Sequence, residues 1–184
     1  KAFQISNDDS ILYLRAITKF DFGDYEGAVD DYTRLLSVPD LRREIYLDIG
    51  LINFYSFNFK NALLNFNRVI EEEKSDYKNF LYRGDINFRL KNYKASKSDH
   101  DKSVELFNKF YLSLNNRGVS NYKAGNFKQS LKDFNRSLKL NPGNYNTLFN
   151  RALTYNKLNL KKKACIDLKK SIKLGKDVFK EKYY

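Results

Sequence analysis

Small residues recur every 34 positions along this chain, from one end to the other. Stepping from Ala16 by 34 reaches Gly50, Gly84, Gly118 and Ala152. A second column of small residues runs in parallel: Ala28, Ala62, Ser96, Ser130 and Ala164. A fixed short period without insertions is typical of tandem arrays in which each unit packs only on its neighbours. The period predicts five repeats, at about 9–42, 43–76, 77–110, 111–144 and 145–178, with no domain boundary between them.

Each repeat contains two apolar stripes with helical spacing. In the fourth copy the first stripe consists of Leu114, Gly118 and Tyr122, and the second of Phe127, Leu131, Phe134 and Leu138. Spacings of three and four place each stripe on one face of a helix. The segment 124–126 reads Ala-Gly-Asn, a turn signal, and Pro142 ends the second helix. The repeat unit is therefore predicted to be a helical hairpin.

The chain is basic, and its charge is uneven. Its formal net charge is +12, made up of −5 over residues 1–76 and +17 over residues 77–184. Such asymmetry can indicate a nucleic-acid or anionic-surface partner, but solvated lysine-rich helix faces are the favoured interpretation. No apolar run is long enough to span a bilayer. We expect a soluble chain, with a cytoplasmic location slightly favoured; Lys1 is not an initiator methionine, so we expect a processed chain or a fragment.

Two columns of opposite charge lie 16 residues apart within the repeats. The arginine column is Arg15, Arg83, Arg117 and Arg151, and the aspartate column is Asp31, Asp99, Asp133 and Asp167. The second repeat has Ile49 and Asn65 in these slots, so it lacks both charges together. Removing one partner of a buried pair strands a charge, whereas losing both is tolerated. We predict four Arg–Asp ion pairs between the two helices of a repeat, with a structural rather than catalytic role.

Residues that could carry chemistry are few. His100, the only histidine, falls in the aromatic core column, and the aspartates beside it point in other directions around a helix. Cys165, the only cysteine, rules out an internal disulfide and is expected to be a small buried hydrophobe. We expect no enzyme activity, no cofactor and no metal site. A further ring column is expected to be buried: Tyr25, Phe59, Tyr93 and Phe127.

The repeat resembles the tetratricopeptide repeat (TPR) family. The 34-residue unit, the two small columns, Pro142 and the signatures at 116–118 and 133–134 (Asn-Arg-Gly and Asp-Phe) match its pattern over residues 9–178. Residues 1–8 look like the tail of an upstream repeat, and 179–184 like the start of a capping helix. The chain departs from the pattern where Phe57, Lys91 and Asn159 replace the turn glycine.

The resemblance implies an all-α, right-handed α-solenoid whose first helices line a concave groove. The expected groove residues are Tyr13, Leu47, Asp48, Leu81, Tyr82, Asp85, Arg89, Asn115, Asn116, Lys123, Phe149, Asn150 and Lys157. TPR grooves usually bind an extended peptide or a partner's helix, and a side-chain amide such as Asn116 or Asn150 can pair with a peptide backbone.

We therefore predict a non-catalytic protein interaction module with a protein or peptide partner. One alternative is binding of nucleic acid or an anionic surface by the basic C-terminal half. Against nucleic acid, the lysines fall mainly on second helices, outside the expected groove. Another alternative is a structural subunit of a larger, membrane-bound assembly.

Overall fold

The protein is described by a computed structural model that covers the backbone of residues 6–183 and the side chains of residues 6–175. Within this range the regular structure is helical, with no strand. The α-helices are α1 (Asn7–Asp21), α2 (Tyr25–Leu35), α3 (Arg42–Tyr55), α4 (Phe59–Glu72), α5 (Tyr77–Arg89), α6 (Tyr93–Leu106), α7 (Tyr111–Lys123), α8 (Phe127–Leu140), α9 (Tyr145–Lys157) and α10 (Lys161–Tyr183). A short 3₁₀ turn, Pro39–Leu41, precedes α3. Odd-numbered helices are the first helices of the predicted repeats, and even-numbered helices are the second.

The helices form two compact units, residues 1–90 and 91–184, and the boundary falls inside the third predicted repeat. Unit 1 has an apolar core in which α1, α2 and α3 meet around Tyr32, Leu35 and Ile45. A second cluster joins α4 to α5 through Phe66 and Ile86. These side chains are almost entirely removed from water, which stabilises the packing of successive helices.

The core of unit 2 combines buried apolar side chains, such as Leu114 and Phe134, with layers of buried hydroxyl groups. They pair across successive hairpins: Ser96 with Ser120, Ser103 with Ser113, Ser130 with Thr154 and Ser137 with Thr147, at oxygen–oxygen distances of 3.3, 2.8, 3.4 and 3.4 Å. Among the described residues, no buried side-chain nitrogen or oxygen lacks a hydrogen-bond partner. The polar layers are therefore satisfied, which is the condition for burying them without a large penalty.

The small-residue columns mark close contacts between the two helices of a hairpin. A Cβ atom added to Gly118 would lie 2.6 Å from the Phe134 ring, and one added to Gly50 would lie 3.2 Å from the Phe66 ring. Both rings are completely buried. A larger side chain at either glycine would therefore have to displace a core ring.

The hairpin turns use the left-handed backbone region in every repeat. Gly23 and Gly125 have φ of 80°, a conformation that glycine adopts without steric cost. Phe57, Lys91 and Asn159 occupy the same slot with φ of 62°, 63° and 60°. The departures from the glycine pattern thus leave the turn geometry intact and place non-glycine residues in a strained conformation.

The expectation that the ring column at the start of the second helices is buried is wrong. Tyr25 and Tyr93 are exposed, and Phe59 and Phe127 are only half-buried. Each ring opens a second helix at the hairpin turn, where it packs on one side only; Tyr25, for example, meets Phe20 at 5.7 Å.

Cys165 is exposed rather than buried. It lies two residues before the buried Asp167 and therefore about 200° around α10 from it, on the outward side. His100 is buried as expected, with its Nδ1 3.0 Å from the Ser120 hydroxyl oxygen.

The α10 helix continues without a break from Lys161 to Tyr183. The expected capping contacts of Phe179, Tyr183 and Tyr184 lie outside the described side chains, as do residues 1–5 of the expected upstream repeat.

Candidate functional site

Unit 1 contains a hydrogen-bonded cluster of two phenols and a carboxylate, with Tyr13 on α1, Tyr32 on α2 and Asp48 on α3. The Tyr13 hydroxyl donates to Asp48 Oδ2 at 2.9 Å, and Tyr32 also donates to Asp48. The pKa of Asp48 is raised, mainly by burial and also by the charge of Glu44, although the hydrogen bonds from the two phenols lower it. The pKa values of Tyr13 and Tyr32 are raised by burial and by the neighbouring Asp48 charge. Tyr13 and Asp48, both expected to face a partner, are therefore bonded to each other.

Other predicted groove residues of unit 1 also serve the fold. Tyr82 stacks on Phe66 at 5.4 Å and meets Phe54 edge-on at 5.7 Å. Burial, together with a hydrogen bond to Tyr55, raises the pKa of Tyr82 to about 12. Leu81 is 8% exposed, so it does not present a surface to a partner, because its side of α5 is packed.

The remaining groove candidates of unit 1 are less enclosed. Leu47 is half-buried and packs against the second apolar cluster. Asp85 is half-buried and Arg89 is exposed. Of the predicted groove residues of unit 1, Arg89 alone is exposed.

In unit 2 the asparagine side chains that were expected to line the groove hydrogen-bond to one another. Asn115 Oδ1 accepts hydrogen bonds from the Thr147 hydroxyl at 3.0 Å and from Asn150 Nδ2 at 3.2 Å. Asn115 Nδ2 donates to Asn116 Oδ1 at 2.9 Å. Asn115 is buried by these contacts, while Asn116 and Asn150 remain half-buried. Only the latter two are accessible to a ligand.

The solvent-facing side of α9 is apolar at its centre. Phe149 and Leu153 are 45% and 39% exposed, and Lys157 continues the same stripe at a spacing of four. On α7 the exposed Lys123 occupies the slot equivalent to Lys157. Neither lysine forms an ion pair with another described residue. We define the first-helix face of unit 2 as Asn116, Lys123, Phe149, Asn150, Leu153 and Lys157.

The structure brings three of the predicted Arg–Asp pairs together. Each arginine uses two nitrogens to bind both oxygens of an aspartate 16 residues later: Arg15 with Asp31 at 2.8 and 2.7 Å, Arg117 with Asp133 at 3.0 and 2.6 Å, and Arg151 with Asp167 at 2.7 and 2.9 Å. The three aspartates are buried. Arg15 holds the pKa of Asp31 well below its usual range, and Lys19 lowers it further from 2.8 Å. Arg83 and Asp99 lie in different units, and their pairing stays a prediction.

Sequence reasoning missed a second partner for these arginines, on the preceding hairpin. Arg83 Nη1 donates to Asn67 Oδ1 at 3.0 Å within unit 1, and Arg151 Nη1 donates to Asn135 Oδ1 at 2.8 Å within unit 2. Arg117 Nη1 lies 3.7 Å from Asp101 Oδ1. Each partner precedes its arginine by 16 residues, so the arginine joins two neighbouring repeats. A column of Asn and Asp at 67, 101 and 135 was the available signal.

A second missed pattern is a contact between residues 35 apart on successive first helices. It joins Tyr13 to Asp48 in unit 1 and Asn115 to Asn150 in unit 2. Because the contact joins different slots of adjacent repeats, aligning the repeats by column does not reveal it.

No group of histidine, cysteine and acidic side chains among the described residues could hold a metal ion. Within the same range, every helix is too short or too polar to cross a membrane.

Comparisons with known proteins address the fold. Models of the tetratricopeptide repeat match residues 111–144 and 145–177. No curated protein matches the chain. Among solved structures, MamA from Desulfovibrio magneticus RS-1 is similar with a TM-score of 0.86 at 12% identity, covering 94% of this chain and 97% of that one.

Two further structures agree. Another MamA structure has a TM-score of 0.82 at 16% identity and covers 90% of this chain and 96% of that one. YrrB, described as a TPR protein with an unusual peptide-binding site, has a TM-score of 0.77 at 19% identity and covers 90% and 86%. These similarities confirm the expected fold class, an all-α solenoid of helical hairpins. Residues 111–144 and 145–177 of this chain are tetratricopeptide repeats.

Proposed function

We propose that this protein is a non-catalytic interaction module that binds an extended peptide or a partner's helix on the first-helix face of unit 2. The observation that carries the proposal is the exposure of Phe149 and Leu153 on adjacent turns of α9, where they form a partly exposed apolar strip. Exposed aromatic residues with polar surroundings are the usual anchors of protein interfaces.

The polar residues beside the strip suit a peptide. The half-buried amides of Asn116 and Asn150 each offer donors and an acceptor, which can pair with peptide N–H and C=O groups without selecting a sequence. Their mutual hydrogen bonds through Asn115 hold them in place before a ligand arrives, which lowers the entropic cost of binding.

Lys123 and Lys157 favour a ligand that carries a negative charge at one end. Both are exposed, sit at the ends of α7 and α9, and face no described acidic partner. They complement a carboxylate at one end of the bound segment, either a C-terminus or an acidic side chain. YrrB, which shares the fold, is described as having a peptide-binding site.

The test is to select peptide ligands for the full chain from a random peptide library and to measure their affinity by fluorescence polarisation. We expect the double variant Phe149→Ala, Leu153→Ala to weaken binding by at least about tenfold, the usual effect of removing interface anchors. Ile166→Ala is the matched control, because Ile166 is a 66% exposed apolar residue on the second helix α10.

The proposal fails if the selected peptides bind the double variant as tightly as the native chain, or if Ile166→Ala causes an equal loss. Circular dichroism of each variant shows whether the helices are intact. Both altered α9 side chains are substantially exposed, so the fold should be retained.

A further inference from the structure

One column of the repeat carries a cation in all five copies, on the second helix. Its members are Arg34, Arg68, Lys102, Arg136 and Lys170. In the first three copies the cation has an acidic partner on its own helix: Asp30 at 2.9 Å, Glu71 at 3.4 Å and Glu105 at 2.7 Å. In the last two copies no described acidic residue lies within ion-pair distance. The column is thus neutralised in the first three repeats and uncompensated in the last two.

The uncompensated cations line two clefts of unit 2. The first cleft has a volume of about 440 Å³ and lies between α6 and α8, with Arg117 from α7 also in its wall and Lys132 and Arg136 contributed by α8. The second has a volume of about 310 Å³ and lies between α8 and α10, with Arg151 from α9 and Lys170 from α10. Arg117 and Arg151 share one slot of the repeat, and Arg136 and Lys170 share another. The two clefts are therefore equivalent sites in successive repeats, built from residues 34 positions apart.

The carboxylates near these clefts are already used. Asp133 is bound by Arg117 and Asn121, and Asp101 by Lys97 at 2.6 Å. In the second cleft the slot of Asp101 is Asn135, so no acidic residue lines it. Every exposed charged side chain of α8, and of α10 through Lys173, is a lysine or arginine. The surface attracts anions and has donors left to bind them.

We propose that the two clefts bind the carboxylates of an acidic peptide segment, on a site separate from the first-helix face of unit 2. The partner of this column in the first three repeats is a carboxylate, and in the last two repeats no described carboxylate takes that place. No aromatic side chain lines either cleft, so neither offers the stacking surface that single-stranded nucleic acids use. An acidic segment that follows α8 and α10 supplies the missing charges to both clefts at once.

The experiment measures binding of a fluorescein-labelled peptide of alternating Glu and Gly residues to the full chain, at low and at physiological salt. The same peptide with Gln in place of Glu, and a thymidine oligonucleotide of equal charge, are the comparison probes. We expect Arg136→Gln with Lys170→Gln to weaken binding of the acidic peptide by at least about tenfold. The matched control is Arg34→Gln with Arg68→Gln, which removes the same charge from the same slots where the cations are already paired, and should change the affinity by less than about twofold.

The proposal is overturned if the acidic peptide binds the Arg136 and Lys170 variant as well as the native chain, or if both double variants lose affinity equally. It is also overturned if the oligonucleotide binds through Arg136 and Lys170 while the acidic peptide does not. The Phe149 and Leu153 variant should bind the acidic peptide normally, so the result is independent of the proposed function of the first-helix face. Arg136→Lys with Lys170→Arg should restore binding, because both changes keep the charge.

Discussion

At the scale of single residues, Asp48 shows how a predicted binding residue can be occupied by the fold. Its carboxylate accepts hydrogen bonds from Tyr13 and Tyr32, so it is oriented inward rather than toward a partner. The two phenol hydrogen bonds do not fully offset burial and the charge of Glu44, because the pKa of Asp48 is raised despite them. The ionised form of Asp48 therefore costs the folded protein stability at neutral pH.

Replacing Asp48 with asparagine should stabilise the protein at neutral pH. Asparagine keeps an acceptor for one phenol and removes the buried charge. Because the pKa of Asp48 is raised on folding, the carboxyl contributes stability below its unfolded pKa and loses this contribution as the pH rises through the folded value. Thermal melts of Asp48→Asn and native protein should differ most near pH 7 and converge below about pH 4, near the unfolded value. A difference that is constant with pH would contradict this.

The Arg–Asp pairs carry a prediction of their own, and the second repeat supplies the variant that tests it. Arg117→Ile leaves the buried Asp133 without its bidentate cation and should cost about 3 kcal/mol or more. Asp133→Asn should cost less, because Arg117 also lies 3.7 Å from Asp101. The double variant reproduces the pair found at Ile49 and Asn65, and should cost less than the sum of the two single changes by about 1 kcal/mol or more.

Urea denaturation of the four proteins measures this coupling. Additive effects would mean that the pair makes no net interaction and that the joint absence of both charges from the second repeat has another cause.

At the scale of elements, the hairpin turns show that a non-glycine residue can occupy the left-handed position for which the repeat pattern specifies glycine. Phe57 adopts φ of 62° and is 75% exposed, so its ring gains little from packing. The left-handed region costs a non-glycine residue about 1–2 kcal/mol. The packing of α3 on α4 maintains the turn in spite of this cost.

Replacing Phe57 with glycine should therefore stabilise unit 1 by about 0.5–1 kcal/mol, the cost of the strained conformation less the contact of the ring with Phe59. Asn159→Gly is the control at the same slot, and should gain only a few tenths of a kcal/mol because asparagine tolerates this region. Chemical denaturation of both variants gives the comparison. Equal gains, or a loss at Phe57, would show that the aromatic ring stabilises the turn.

The elements also show which features could be predicted from one sequence. The helical hairpins and the Arg–Asp contacts were visible because both partners recur in fixed slots of one repeat. The exposure of Tyr25 and Cys165 was not, because a column records the residue type but not which side of the helix its neighbours cover. The Tyr13–Asp48 bond joins different slots of different repeats, so it appears only when the hairpins are packed.

At the scale of the whole molecule, the two units differ in both core and charge. Unit 1 has 12 Lys and Arg against 15 Asp and Glu, a net charge of −3, around an apolar core. Unit 2 has 22 against 7, a net charge of +15, around hydroxyl layers. A concentrated charge of one sign destabilises the compact state through self-repulsion. The surface that we propose for acidic peptides therefore lowers the stability of unit 2 when no ligand is bound.

This cost predicts that salt stabilises unit 2 more than unit 1. Raising NaCl screens repulsion among the exposed cations of α8 and α10, while the buried bidentate pairs are screened less. We expect hydrogen exchange of the α8 amides to slow by about fivefold between low and high salt, on the order of 1 kcal/mol. The amides of α3 and α4 in unit 1, with its small net charge, should change by less than about twofold. If exchange in α8 is unchanged or faster at high salt, the cations do not repel one another, and an acidic ligand would relieve no strain when it binds.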